Sequence, residues 1–233
     1  MDAFTFLASW PFHSSTGALV LDCQPTSFHS LLTALPKLIH SKYQKHGLHG
    51  LYFPGAPLTM TSYFSKPILK KHLSSRLHSL QSISSHKSSV FITEHFTNCV
   101  VDAAISSVFM NFAALSQKHS TSNAMKLLVS SPTQISRLIP ELTMAAYIMS
   151  SLGKYGLKGR LLGQVAASPF SFCAIRKCQQ DRYDDFIDVM QEAVINEGPL
   201  SLLKGASAGV CTVLVSHFLQ QNMSKLFGKK LRK

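Results

Sequence analysis

An all-α membrane protein, one six-helix transmembrane bundle occupying residues 1–233, is the fold class that three features of this sequence predict. The first is the run 205–224, 20 consecutive residues without Asp, Glu, Lys or Arg. At about 1.5 Å per residue it spans a hydrocarbon core of roughly 30 Å. The second is a scarcity of charge: 15 % of residues are charged and 45 % hydrophobic, where an average soluble domain is about 25 % charged. The third is recurrence, since apolar stretches alternate along the chain with Gly, Pro and basic punctuation and number six in all.

The first stretch, 3–21, carries no Asp, Glu, Lys or Arg and is interrupted by Pro11 and His13. A proline inside a spanning helix removes one backbone hydrogen bond and kinks it. Pro25-Thr26-Ser27 then reads as a helix start, and Phe28, Leu31, Leu32, Leu35 and Leu38 give an apolar stripe that stops near His46-Gly47. A second stretch, 51–65, is closed early by Lys66, Lys70 and Lys71. Residues 66–87 hold five Lys or Arg, many serines and no acid, the composition of a solvated or interfacial segment. The third stretch, 89–115, has no proline but contains Glu94 and Asp102. Acids are costly at membrane depth, so both are candidate inward-facing or cavity groups.

Residues 117–131 show neither an acidic amphipathic helix nor a glycine stop, so no surface element is expected there. The fourth stretch, 135–153, opens with Arg137-Leu138-Ile139-Pro140, and Tyr155-Gly156 turns into the fifth, 157–178. Further on, Phe186, Val189, Met190, Ala193 and Val194 fall at helical spacing, with Asp184, Asp185, Asp188, Gln191 and Glu192 on the other faces. Such a helix lies along a membrane surface or covers a bundle end. Glu197-Gly198-Pro199 ends it, because glycine accepts left-handed geometry and proline supplies no donor. Lys204-Gly205 opens the sixth stretch.

Charge and chemistry narrow the function. The net charge is +12, and six of the 11 acids lie between Asp181 and Glu197. A basic balance fits an anionic membrane or nucleic acid; with no recognition motif and no aromatic-interleaved basic run, nucleic acid is not expected as a partner. Lys229, Lys230, Arg232 and Lys233 form a short basic tail, a solvated terminus or a lipid contact. Cys23, Cys99, Cys173, Cys178 and Cys211 are dispersed and never C-x-x-C, and the 11 histidines show no H-E-x-x-H spacing. No disulfide framework, metal site or cofactor is expected. Without a Gly-rich phosphate loop or G-x-S-x-G, an enzyme is not expected either. The N-terminus carries Asp2 and no positive region, a poor secretory or transit signal.

Spanning segment, surface helix, glycine stop, Lys-Gly, spanning segment: this order, with Ser168-Pro169, Arg176, Gln179, Tyr183, Glu197-Gly198 and Leu203-Lys204-Gly205, resembles one repeat of the mitochondrial carrier family. His46-Gly47-Leu48-His49-Gly50-Leu51-Tyr52 echoes the family's surface-helix end, and Arg137-x-x-Pro140 resembles an element of its even-numbered helices. The resemblance implies three pseudo-repeats at about 1–75, 88–153 and 157–227. Gly55 and Gly205 mark equivalent repeat ends, and their spacing implies a shortened middle repeat. It also implies the mitochondrial inner membrane, with the outer membrane as the alternative, reached through internal signals.

A lipid site is implied at Leu203, Lys204 and Gly205, which match the family's cardiolipin-binding element. Physically, a helix N-terminus presents unsatisfied amides, Gly205 lets a phosphate approach, and Lys204 adds a cation. At the neighbouring Tyr183 end, Asp185 stands where the family has a glycine.

The family's gates fit less well. Its Pro-x-acid-x-x-base pattern corresponds here to Pro11, His13 and Thr16, and to Pro169, Ser171 and Ala174. Its second gate corresponds to Tyr63-Phe64-Ser65, Tyr147-Ile148-Met149 and Phe218-Leu219-Gln220, none with an acid. Ion pairs that differ between two states are what bias a two-state cycle. An anionic solute would also need cations facing a cavity. Arg137 is the one base in the fourth stretch, and is a cavity residue, an interface anchor or a partner of Glu141 at i+4.

The function expected is therefore a carrier-like protein that has lost solute transport and serves as an accessory subunit of a mitochondrial inner-membrane complex, with cardiolipin contacts. The small-residue runs 163–168 and 205–209 would let helices approach closely. The alternatives are an active solute carrier, an outer-membrane insertase or adaptor with a groove lined by Glu94, Asp102 and Arg137, and a soluble helical scaffold.

Overall fold

The computed structural model describes residues 8–12, 20, 28–52, 61, 64–65, 67–69, 71–72, 87–118, 121–180 and 185–228. Among them every regular element is helical. In chain order these are α1 (Phe28–Tyr52), α2 (Lys87–Lys118), α3 (Thr121–Ser130), α4 (Pro132–Ser136), α5 (Ile139–Gly153), α6 (Gly156–Gln179) and α7 (Phe186–Glu197). A 3₁₀ turn (Pro199–Leu203) then leads into α8 (Ala206–Gly228).

The third, fifth and sixth apolar stretches correspond to α2, α6 and α8, and the fourth is divided between α4 and α5. The first and second fall largely outside the described residues. Two helical segments, Glu94–Leu115 and Pro199–Asn222, are long and apolar enough to cross a membrane. Of their apolar windows 33 % and 17 % of residues are buried; most of the others are half-buried, with Phe96 exposed on the first and Leu214 and Phe218 on the second. α5, at 15 residues, reaches only about 22 Å. α6 is longer but carries Lys158 and Arg160 near one end and Arg176 and Lys177 near the other. Two candidate spans, rather than six, are thus present among the described residues.

α5 and α6 form an antiparallel hairpin. Gly156 turns it with φ 71, and a Cβ on Gly159 would stand 2.0 Å from the Leu152 carbonyl oxygen, so only glycine fits there. α2 runs antiparallel to α5: Ser107 Oγ donates to the Ile135 carbonyl, and the His95 ring meets Tyr147 at 5.4 Å. α8 lies along α6, with Gly209 against the Gln164 side chain and Ser168 Oγ donating to the Leu202 carbonyl at 2.9 Å.

The expected surface helix is α7. Its Val189 and Ala193 are fully buried against Phe172, Cys173 and Val20, with Phe186 and Met190 packed alongside. It ends as the sequence indicates, on Gly198 at φ 83 with Pro199 starting the next turn. The stop expected near His46-Gly47 appears as a kink, Gly47 at φ 59, after which helical residues continue to Tyr52. α1 rests on the start of α8 through Leu35 and Ala208.

One expectation is corrected. Residues 117–131 do hold a surface helix, α3, which buries Ala124 and Leu128 one turn apart. It needs no acidic face, because small apolar residues at i and i+4 already define its inner side.

Candidate functional site

Arg176 and Lys177 end α6 next to each other, and successive positions on a helix point about 100° apart. They therefore serve two different neighbours. Arg176 reaches the junction of α7 and α8, where its Nη2 donates to Glu197 Oε1, while Lys204 Nζ donates to Glu197 Oε2. Both bases also donate to the Val20 carbonyl at 3.5 Å. Arg176 is 5 % exposed and Lys204 0 %. The guanidinium lies 4.8 Å from the centre of the Phe172 ring, a cation–π arrangement. Burial pushes the Glu197 carboxyl up, but the hydrogen bonds and charges of Lys204 and Arg176 outweigh it and hold it below the usual range.

Lys177 turns to α5. Its ammonium donates to Glu141 Oε1 at 2.8 Å and to the Arg137 carbonyl at 2.9 Å, with both side chains at most 4 % exposed. Breaking such a pair from one side leaves an uncompensated buried charge, which costs about 3–5 kcal/mol. The two clusters pin α6 to α5 on one side and to α7 and α8 on the other.

Two cavities lie beside these locks. One, of about 210 Å³, is lined by Asn111, Ser131, Gln134, Arg137, Lys177 and Cys178, with apolar residues around them. At about 30 Å³ per water it has room for roughly seven waters or a small solute. The other, of about 640 Å³, is apolar and lies between residues 8–12, α1 and the start of α8, with Phe12, Leu35, Ile39, Tyr43 and Val210 in its wall.

The structure places the sequence candidates as follows. Lys204 points inward onto Glu197; Leu203 and Gly205, either side of it, are partly exposed. Arg137 stands at the break between α4 and α5 and lines the smaller cavity. Glu94 and Asp102 lie partly exposed on α2, and neither is in that cavity's wall. Lys177 is the functional-site residue that sequence reasoning passed over. The available signal was the pair of adjacent bases ending a stretch otherwise uncharged from 161 to 180. Among the described residues no three His, Cys, Asp or Glu converge as a metal site would require.

No family model, no curated protein and no solved structure matches the chain.

Proposed function

We propose that this chain is a membrane-embedded helical scaffold, built like a degenerate mitochondrial carrier, that serves as a non-transporting accessory subunit of a mitochondrial inner-membrane complex. The observation that carries the proposal is the Arg176–Glu197–Lys204 cluster. These are residues on which the carrier resemblance rests, 21 and 7 positions apart in the chain, and they meet in one buried network joining consecutive elements. An internal network of this kind holds α6, α7 and α8 in one arrangement. Opening it would strand two buried cations, which argues for a scaffold rather than for a device that cycles between two states.

Membrane embedding is supported by the length and apolar composition of α2 and α8 and by the exposure of Phe96, Leu214 and Phe218 on them. Lipid contact at the start of α8 belongs, on this reading, to Gly205 and the backbone beside it, because the Lys204 ammonium is committed to Glu197. The test is carbonate extraction of mitochondrial membranes, then reconstitution into liposomes. Release by carbonate would end the membrane reading, and saturable metabolite uptake would end the non-transporting one.

One observation favours a second reading. The smaller cavity is lined by Arg137 among the polar groups of Asn111, Ser131 and Gln134, and a cation in a polar cavity is the provision an anionic solute requires. Uptake of a small anion that disappears in Arg137→Gln would make the chain a solute carrier.

A further inference from the structure

We infer that the α5–α6 turn is a contact surface for anionic phospholipid headgroups, an inference that rests on the membrane-embedded reading above. Lys154, Tyr155, Lys158 and Arg160 are all exposed around this turn, Tyr155 at 76 %. From residue 142 to residue 180 the chain contains no Asp or Glu. Glu94 stands at the same end of α2, beside His95, whose Nε2 bonds Ser150 Oγ at 3.1 Å. Among the described residues, the three bases of the turn against that one acid leave the end positive.

A basic turn alone would be an ordinary solvated loop; what lies below it identifies the partner. Leu162 and Val165 on α6 are 58 % and 39 % exposed, and Met144 on α5 is 41 % exposed. Apolar side chains therefore begin within one turn of Arg160. Residues 161–175 of α6, between Arg160 and the buried Arg176, carry no charge. Bases with long apolar stems and one tyrosine, set above an apolar flank, make the collar that sits at a membrane interface. A single-stranded nucleic acid would instead ask for several stacking aromatics along a basic groove, and Tyr155 stands by itself among these bases.

The headgroups recognised are those of lipids with net negative charge, through Lys154, Lys158 and Arg160 as phosphate donors. Because the contact is electrostatic and at the surface, it weakens as salt rises.

The experiment uses the full chain with Tyr155→Trp as reporter, since the native Trp10 is 5 % exposed and supplies a constant, poorly quenched background. Purified protein is reconstituted in phosphatidylcholine vesicles containing increasing phosphatidylglycerol, and quenching by neutral acrylamide is recorded. Quenching is expected to fall as the anionic lipid rises, and to recover at high salt. Replacing one base, as in Lys158→Gln, should raise the phosphatidylglycerol fraction for half-maximal protection about fivefold, the equivalent of one charge at the surface. Lys158→Arg should leave it in place, and melting of each variant shows that the fold is kept. Equal quenching in neutral and anionic vesicles, in protein that still resists carbonate, overturns this inference and leaves the membrane reading intact. Protection by polyuridylate in neutral vesicles overturns it in favour of nucleic acid. Extraction by carbonate removes both readings together.

Discussion

The middle and the last thirds of the chain build the same succession of long helix, short helix and helix, but tie it in different ways. In the last third Ser168 of α6 donates to the carbonyl of Leu202, two residues before Lys204. In the middle third Ser107 of α2 donates to the carbonyl of Ile135, two residues before Arg137. The serine and its acceptor are 34 residues apart in the first case and 28 in the second. Beyond this shared bond the two diverge. The last third adds a buried carboxylate between two bases, whereas the middle third adds Asn111, whose amide donates to the Ser107 carbonyl at 2.9 Å and the Gln134 carbonyl at 3.2 Å. An ionic tie is strong while complete and fails heavily when one member is lost. A neutral tie is worth less, fails more gently and does not titrate.

The sharpest way to break the comparison is Glu197→Gln. It keeps the side-chain shape but leaves Arg176 and Lys204 buried without a counter-charge, and should cost about 5 kcal/mol. Thermal unfolding in detergent reads it directly; an unchanged melting temperature would mean that the cations reach water and that the tie is not ionic in substance.

Lys177→Met tests the second lock. It strands one buried charge, Glu141, instead of two, so the expected cost is smaller, about 3 kcal/mol. Adding Glu141→Leu to the same chain should recover most of it, since an apolar pair replaces an ion pair with little net change. A double variant no more stable than the single one would show that Glu141 is held by something other than Lys177.

On the neutral side, Asn111→Ala should cost about 1–3 kcal/mol by leaving the Gln134 carbonyl without its side-chain donor, and Ser168→Ala about 1 kcal/mol. If Asn111→Ala proved as damaging as Glu197→Gln, the distinction between the two ties would fail.

Acid sharpens the same contrast with no mutation and with the smallest effect. Glu197 is held below the usual carboxylate range, so its stabilisation is complete above the unfolded value of about 4.3. It is lost as pH falls below that, through the folded value. Ser107 and Asn111 carry no titratable group. Hydrogen exchange in α7 and α8 should therefore quicken between pH 4 and lower values relative to exchange in α2 and α3; parallel behaviour of the two regions would remove the ionic tie as the cause.

What the sequence determined by itself is local. It placed α2, α6 and α8 as apolar helices, and α7 with its stop at Gly198, because periodicity and a left-handed glycine act within a few residues. It also marked Arg176, Glu197 and Lys204 as belonging to one pattern without saying that they touch. α3 was missed because Ala124 and Leu128 are too few to register as a face until α2 is present to bury them. Glu141 was weighed against Arg137, its neighbour at i+4, whereas the tertiary structure gives it Lys177, 36 residues away. Only the tertiary structure could decide such pairings: a buried charge must be met within hydrogen-bonding distance, and which distant residue meets it depends on how the helices pack.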